Sequence, residues 1–289
     1  MGLLSGLEKF GLSGEGIGNL FAEEEKEPLK KEEEKPKKEE VVVTESDFLL
    51  VKRVKCPVCD QTFPSKVVKS GKARRLQPDD DLRPRHETID TIKYDVVSCP
   101  YCGYTSMIRY FNQVSPAQRK LLRENVMANF RPDSAYIPEM DTTPYTYDEA
   151  IDMYKLAVFN TVVRRGKTSE KAYECLKIAW LYRGKIEELE RQMPGSQTIV
   201  SLQKEMMEFY EQAFEGFQKA ISSELYPICG MDQQTLDLLL ATMGYKLGKY
   251  EVSSRYIQAV LLSKNATKAT KQRAEDLKEK LIVKLRESH

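Results

Sequence analysis

The chain has 289 residues, and its 45 basic and 44 acidic side chains leave a formal net charge of +1. This balance excludes a strong overall electrostatic attraction to nucleic acid or to a membrane surface. Charged residues make up 31% of the chain, and no apolar run approaches the ~20 residues that a membrane-spanning helix needs.

Residues 1–21 contain a short apolar pattern. Four residues at helical spacing predict one face of an amphipathic motif: Leu3, Leu4, Leu7 and Phe10. The surrounding glycines make such a helix unstable alone, so we expect it to order only on a partner or on the protein's own body. A disordered start without a role is the alternative. A secretory leader is not visible, so we expect a cytoplasmic protein.

Residues 22–40 are almost entirely Glu and Lys, interrupted by Pro28 and Pro36. This composition cannot bury enough apolar surface to offset the entropy of ordering the chain. We therefore expect a disordered charged linker that tethers the N-terminal motif.

Two Cys-x-x-Cys pairs dominate the next segment, residues 41–111. Together they offer four thiolates to one metal ion: Cys56, Cys59, Cys99 and Cys102. Four thiolates suit a tetrahedral zinc ion. Extended, β-prone residues precede each pair, which predicts a zinc ribbon with one knuckle at the tip of each hairpin. Phe63 follows the first knuckle, where ribbons often place an aromatic ring against the metal site.

Disulfides and a redox Cys-x-x-Cys are the other interpretations of these cysteines. Disulfides belong to oxidising compartments, and a redox pair needs one motif in a βαβ context, so the sequence favours zinc over both. We expect one structural zinc ion per chain. Cys175 and Cys229 lie in helical patterns and are expected to be buried free thiols.

The interval between Cys59 and Cys99 is long for a compact ribbon. It contains a mixed-sign loop with these candidate binding residues: Arg74, Arg75, Asp79, Asp80, Asp81, Arg83 and His86. One interpretation is a polar excursion satisfied by its own Arg–Asp pairs. The other is a binding loop, because long insertions often carry function. His86 can ligate metal in principle, but four cysteines already complete a structural site.

A helix and a proline-rich connector are predicted over residues 112–146. Ser115-Pro116 combines an N-cap with proline at the first helical position. The apolar pattern continues this helix to Phe130, and prolines then punctuate the chain up to residue 146.

From residue 147 to the end at 289 the pattern is helical. A small–large–small triad occurs three times: Ala150, Tyr154, Ala157; Ala213, Phe217, Ala220; and Ser253, Ile257, Val260. This spacing is typical of the second helix of tetratricopeptide repeats, in which small residues let paired helices approach closely. An ordinary helical bundle is the alternative. The fold class predicted is α+β, a zinc ribbon of small antiparallel sheets followed by an all-α tetratricopeptide-like domain.

The second knuckle and its surroundings resemble a known bacterial family. Residues 94–104 (YDVVSCPYCGY), the upstream Cys-Pro-Val-Cys and the intervening Asp-Asp-Asp-Leu-Arg-Pro look like domain of unknown function 2225, over about residues 47–287. The resemblance implies a cytosolic bacterial protein with a zinc ribbon and tetratricopeptide-like helices. It implies no established activity.

Three classes of function remain open from the sequence. The leading hypothesis is a non-catalytic interaction protein that binds a protein partner through its helical array or its N-terminal motif. The second is nucleic-acid binding by the ribbon, through Lys66, Lys69, Lys72, Arg74 and Arg75. The third is an enzyme with a second metal on Asp79, Asp80, Asp81 and His86, although no nucleophile or nucleotide motif supports it.

Overall fold

A computed structural model describes residues 43–131 and 141–287, and strands precede helices in it, as the α+β prediction requires. The four strands are β1 (Leu49–Lys55), β2 (Thr62–Val68), β3 (Val96–Ser98) and β4 (Thr105–Met107). The eight helices are α1 (Ile108–Phe111), α2 (Pro116–Leu122), α3 (Tyr147–Val163), α4 (Thr168–Gln192), α5 (Gln197–Ile221), α6 (Gln233–Lys246), α7 (Tyr250–Leu262) and α8 (Lys268–Glu287). The predicted partner motif and charged linker lie outside the described residues.

The strands form two separate antiparallel hairpins. In the first, β1 pairs with β2 from Leu49 opposite Val68 to Lys55 opposite Thr62. In the second, β3 pairs with β4, and Val96 lies opposite Met107. The loop of each hairpin carries one Cys-x-x-Cys pair, so each knuckle lies at the tip of its hairpin as predicted.

Two local predictions on this half need correction. The extended segment predicted before the second cysteine pair was expected to begin at Tyr94, but Tyr94 ends a 3-10 turn, Thr91–Tyr94. The Asp90 side chain starts this turn by accepting a hydrogen bond from the Ile92 N–H. The helix expected to reach Phe130 ends earlier. It becomes a π-helical turn at Arg123–Met127, which lets Arg123 donate to the carbonyl of Val58 in the first knuckle.

Helix starts follow their capping residues. Ser115 caps α2 in a capping box with Gln118, with proline at the first helical position, as predicted. Thr146 and Glu149 form the same box at the start of α3, where the helical pattern begins. These side chains satisfy backbone N–H groups that the first turn of a helix leaves unpaired.

Buried faces of α3, α5 and α7 hold the three small–large–small triads. All nine residues are at most 1% exposed, in agreement with the predicted helix packing. Other small residues, outside the three triads, also let helices approach closely. A Cβ on Gly216 would lie 2.8 Å from that of Ala172, so α4 and α5 approach closely there. Cys175 and Cys229 are buried and form no disulfide, as predicted. The helical pattern predicted around Cys229 is wrong, because this residue lies between α5 and α6 with a φ of 50°.

One hydrophobic core contains residues from both sides of the predicted boundary between ribbon and helices. Ile92, Val96 and Met107 cluster with the helical core. The Tyr154 hydroxyl of α3 donates to the carbonyl of Ile92 at 3.1 Å. The hydrophobic packing is therefore continuous across residue 147. A domain boundary at this residue stays a prediction. No helix in the described ranges is long and apolar enough to cross a bilayer.

Candidate metal centre and acidic loop

Four cysteine sulfurs converge between the two hairpin tips. Cys56 Sγ lies 3.6 Å from Cys102 Sγ, and Cys59 Sγ lies 3.6 Å from Cys99 Sγ. All four atoms are within 4.8 Å of one another, and none is in a disulfide. A disulfide would need sulfurs about 2.05 Å apart. This arrangement could hold one metal ion with four sulfur ligands. Each close pair of sulfurs consists of one cysteine from each knuckle.

The backbone of the two knuckles is closely matched. In each, the residue after the second cysteine has a left-handed conformation: Asp60 at φ 64° and Gly103 at φ 73°. This turn brings backbone N–H groups toward the sulfurs, and Val58 N lies 3.4 Å from Cys56 Sγ. Glycine tolerates positive φ, whereas an L-residue such as Asp60 is strained there. The glycine at position 103 is therefore consistent with its turn, whereas the residue type at position 60 gives no sign of one.

A compact apolar shell surrounds the sulfurs. It contains Val58, Phe63, Tyr104, Phe111 and Leu122, all at most 2% exposed. The predicted aromatic contact of Phe63 is thereby confirmed. Tyr104 donates its hydroxyl hydrogen to the Phe111 carbonyl at 2.9 Å, so its one polar atom is satisfied.

The thiols influence one another strongly. Hydrogen bonds from the thiols of Cys102 and Cys99 hold the pKa of Cys56 far below its usual value. The same contact with Cys56 raises the pKa of Cys102, because a second thiolate would lie beside the first. A divalent cation removes this conflict, since its charge stabilises every coordinating thiolate together.

The acidic part of the mixed-sign loop is bound by the helices. Asp81 is fully buried and accepts hydrogen bonds from Arg183 of α4 at 2.5 and 3.0 Å. Its Oδ2 also accepts from Tyr210 of α5 at 3.0 Å and from Lys246 of α6 at 3.1 Å. Burial opposes ionisation of Asp81, but the Arg183 guanidinium outweighs it, so its pKa lies well below the usual range.

Arginines of the loop form a second network with α4. Arg85 donates to Asp79 at 2.7 Å within the loop and to both carboxylate oxygens of Glu187 at 2.6 Å. Arg83, 2% exposed, donates to Asp90 at 3.0 Å and to Glu187 at 3.1 Å. The interpretation that the loop forms its own Arg–Asp pairs thus holds for Arg85 with Asp79 and for Arg83 with Asp90. Both arginines also pair with Glu187 of α4.

Asp80, which is exposed, contacts the last helix, α8. Its carboxylate lies 2.9 Å from Lys280 of α8, and its carbonyl accepts from Arg273 of α8 at 3.1 Å. We call residues 79–85, held in this way by α4, α5, α6 and α8, the acidic clamp. The sequence indicated the loop but not Arg183, Tyr210, Lys246 or Glu187, because nothing in their spacing links them to it.

The remaining loop candidates lie apart from the clamp. Arg74 pairs with Glu87 at 3.5 Å, and both side chains are exposed. Arg75 forms a backbone bridge with His86, whose pKa is lowered by partial burial and by Arg75. In the described ranges, the four cysteines are the one converging group of three or more metal-ligating side chains, and neither the aspartates nor His86 form another.

Part of the basic span considered for nucleic acid is engaged internally. Lys66 is 8% exposed and donates to the Thr143 carbonyl at 2.7 Å. Lys69 donates to the Asp47 carbonyl at 2.8 Å. Fewer lysines are therefore available for phosphates than the sequence suggests.

The comparison with known families gives one match. The model of the family described as "Uncharacterized protein conserved in bacteria (DUF2225)" matches residues 49–281. This span includes both knuckles, the acidic clamp and the first 14 of the 20 residues of α8. No curated protein and no solved structure matches the chain.

Proposed function

Because the chain belongs to the bacterial family DUF2225, whose description names no activity, we propose a function from its own residues. It is a non-catalytic interaction protein in which a zinc ribbon and a tetratricopeptide-like helical array form one rigid scaffold. The observation that carries this proposal is the closed set of four cysteine sulfurs.

The sulfur cluster has nearly the dimensions of a tetrahedral zinc site. A zinc tetrahedron with Zn–S distances of about 2.3 Å has sulfur–sulfur edges of about 3.8 Å. Two edges of the observed cluster measure 3.6 Å, and the others are at most 4.8 Å. Four protein ligands leave no open position for a substrate or an activated water, which is the mark of a structural site.

The helical half supports an interaction role. Every second helix from α3 to α7 buries a small–large–small triad, as stacked helical repeats do. The acidic clamp already occupies one or more polar side chains of α4, α5, α6 and α8, so we expect a partner to use another surface. Phe159 and Val162 of α3 are 51% and 55% exposed and three residues apart, which places them on one outward face.

The test is recovery of partners from cytosolic extract by the immobilised, zinc-loaded chain. Phe159→Glu with Val162→Glu should remove a partner that the native protein retains. Val200→Glu is the matched control, because Val200 is 57% exposed on another helix, α5. Equal recovery by both variants would contradict the α3 surface, and saturable turnover of any substrate by the purified protein would contradict the non-catalytic role.

A further inference from the structure

A cleft of about 280 Å³ lies where β2, the turn at residues 91–95 and α4 meet. Its walls are mainly apolar and aromatic: Val67, Val68, Ile92, Ile108, Tyr173 and Trp180. Two charged side chains, Lys177 and Asp95, also line it. The cleft does not include the sulfur cluster, and it meets the acidic clamp at Pro84. The proposed interaction role does not use it.

Lys177 has unused hydrogen-bonding capacity in this cleft. Its side chain is 6% exposed, and its ammonium group pairs with the Asp95 carboxylate and lies 4.7 Å from the centre of the Tyr173 ring. An ammonium has three N–H donors, and Asp95 is its one hydrogen-bond acceptor in the described ranges. Burial lowers the pKa of Lys177 to about 7.

Trp180 also lines this cleft, and it carries a buried donor. Its side chain is 2% exposed, and its indole Nε1 has no hydrogen-bond acceptor among the residues that the structure describes. Buried indole N–H groups normally find a partner, because leaving one unpaired costs free energy. Lys177 and Trp180 are three residues apart on α4, so their side chains share one face of the helix.

We propose that this cleft binds a small organic carboxylate with an apolar body. The carboxylate would accept hydrogen bonds from Lys177 and Trp180, and the body would pack on the aromatic and aliphatic walls. Asp95 is 39% exposed, so it can turn toward water when the ligand carboxylate takes its place beside Lys177. The volume lies near the lower end of the ~300–1,000 Å³ range of ligand pockets, which favours a ligand smaller than a typical drug.

The single tryptophan of the chain makes the proposal directly measurable. In the zinc-loaded, full-length protein, the indole N–H of Trp180 gives one side-chain nitrogen resonance. Titration with 3-phenylpropanoate should shift it saturably. The neutral analogue 3-phenylpropanamide should bind at least about tenfold more weakly, because it lacks the charge-assisted hydrogen bond to Lys177.

Variants separate the cleft from other sites. Lys177→Met should abolish the response to 3-phenylpropanoate, whereas Lys155→Met, a lysine that also lies over an aromatic ring, should leave it unchanged. If Lys177→Met does not fold, Ile108→Tyr decides, because Ile108 is 43% exposed in the cleft wall and a larger ring there narrows the space. No saturable shift, equal affinity for acid and amide, or native binding by Ile108→Tyr would overturn the proposal.

Discussion

Asp81 Oδ2 lies 2.5 Å from Arg183 Nη2, although 102 residues separate the two in sequence. Asp81 is fully buried at this contact, and Arg183 is 18% exposed. A buried carboxylate of this kind is tolerated only while cations neutralise it. The pair therefore joins the loop between the cysteine knuckles to the helical half of the protein.

Asp81→Asn should destabilise the protein by about 3–5 kcal/mol, because removing one partner of a buried pair leaves Arg183 and Lys246 without their counter-charge. Asp80→Asn is the matched control. Its pair with Lys280 is exposed on both sides, so the change should stay within about 1 kcal/mol. Urea unfolding of the two variants checks the difference, and equal midpoints would contradict the role of the clamp.

Glu174 should make the stability of the protein fall as the pH rises from about 4 to about 8. It is fully buried, and burial followed by the nearby Glu170 raises its pKa to about 8. The pKa of Glu174 in the folded protein thus exceeds that of an unfolded glutamate, which is about 4.3. The contribution of Glu174 to the free energy of unfolding is therefore fully present below about pH 4.3 and is lost as the pH rises toward 8.

Glu174→Gln keeps the side chain neutral at every pH. The stability of this variant relative to the native protein should therefore increase steadily between about pH 5 and pH 8. Over this range the stabilisation that the native protein gains from protonated Glu174 is lost, whereas the variant does not titrate at this position. Thermal unfolding across this interval measures the trend. A constant difference between the two proteins would show that Glu174 titrates normally.

Local signals in the sequence were sufficient for much of the fold. Ser115-Pro116 and Thr146 with Glu149 start their helices through side chains within three residues, so the information is contained in a short segment. The two cysteine pairs likewise carry their own turn geometry, and their number and type were enough to predict a shared site.

Contacts between distant segments could not be predicted in the same way. Nothing near Asp81 indicates Arg183, Tyr210 or Lys246, because the clamp exists only after α4, α5 and α6 have packed. The cleft at Lys177 and Trp180 is also a product of packing, because its walls come from β2, the turn at residues 91–95 and α4. The left-handed Asp60 was missed because the geometry of the knuckle overrides the ordinary preference of aspartate.

Gly103→Ala should destabilise the protein by more than the backbone strain alone. A Cβ there would lie 2.4 Å from the Phe130 ring, in addition to adopting a φ of 73°. Gly71→Ala is the control, since Gly71 has a φ of 72° but nothing within 4 Å of the added carbon. Strain of this kind costs roughly 1–2 kcal/mol. Equal losses in the two variants would mean that Phe130 simply moves aside.

The metal content of the purified protein tests the central claim most directly. Elemental analysis should find one equivalent of zinc per chain, and Cys99→Ser should remove most of it, because that sulfur is one of four converging ligands. Cys175→Ser, a buried cysteine outside the cluster, should retain full zinc. Less than about half an equivalent in the native protein, with no change in Cys99→Ser, would contradict a zinc site formed by Cys56, Cys59, Cys99 and Cys102.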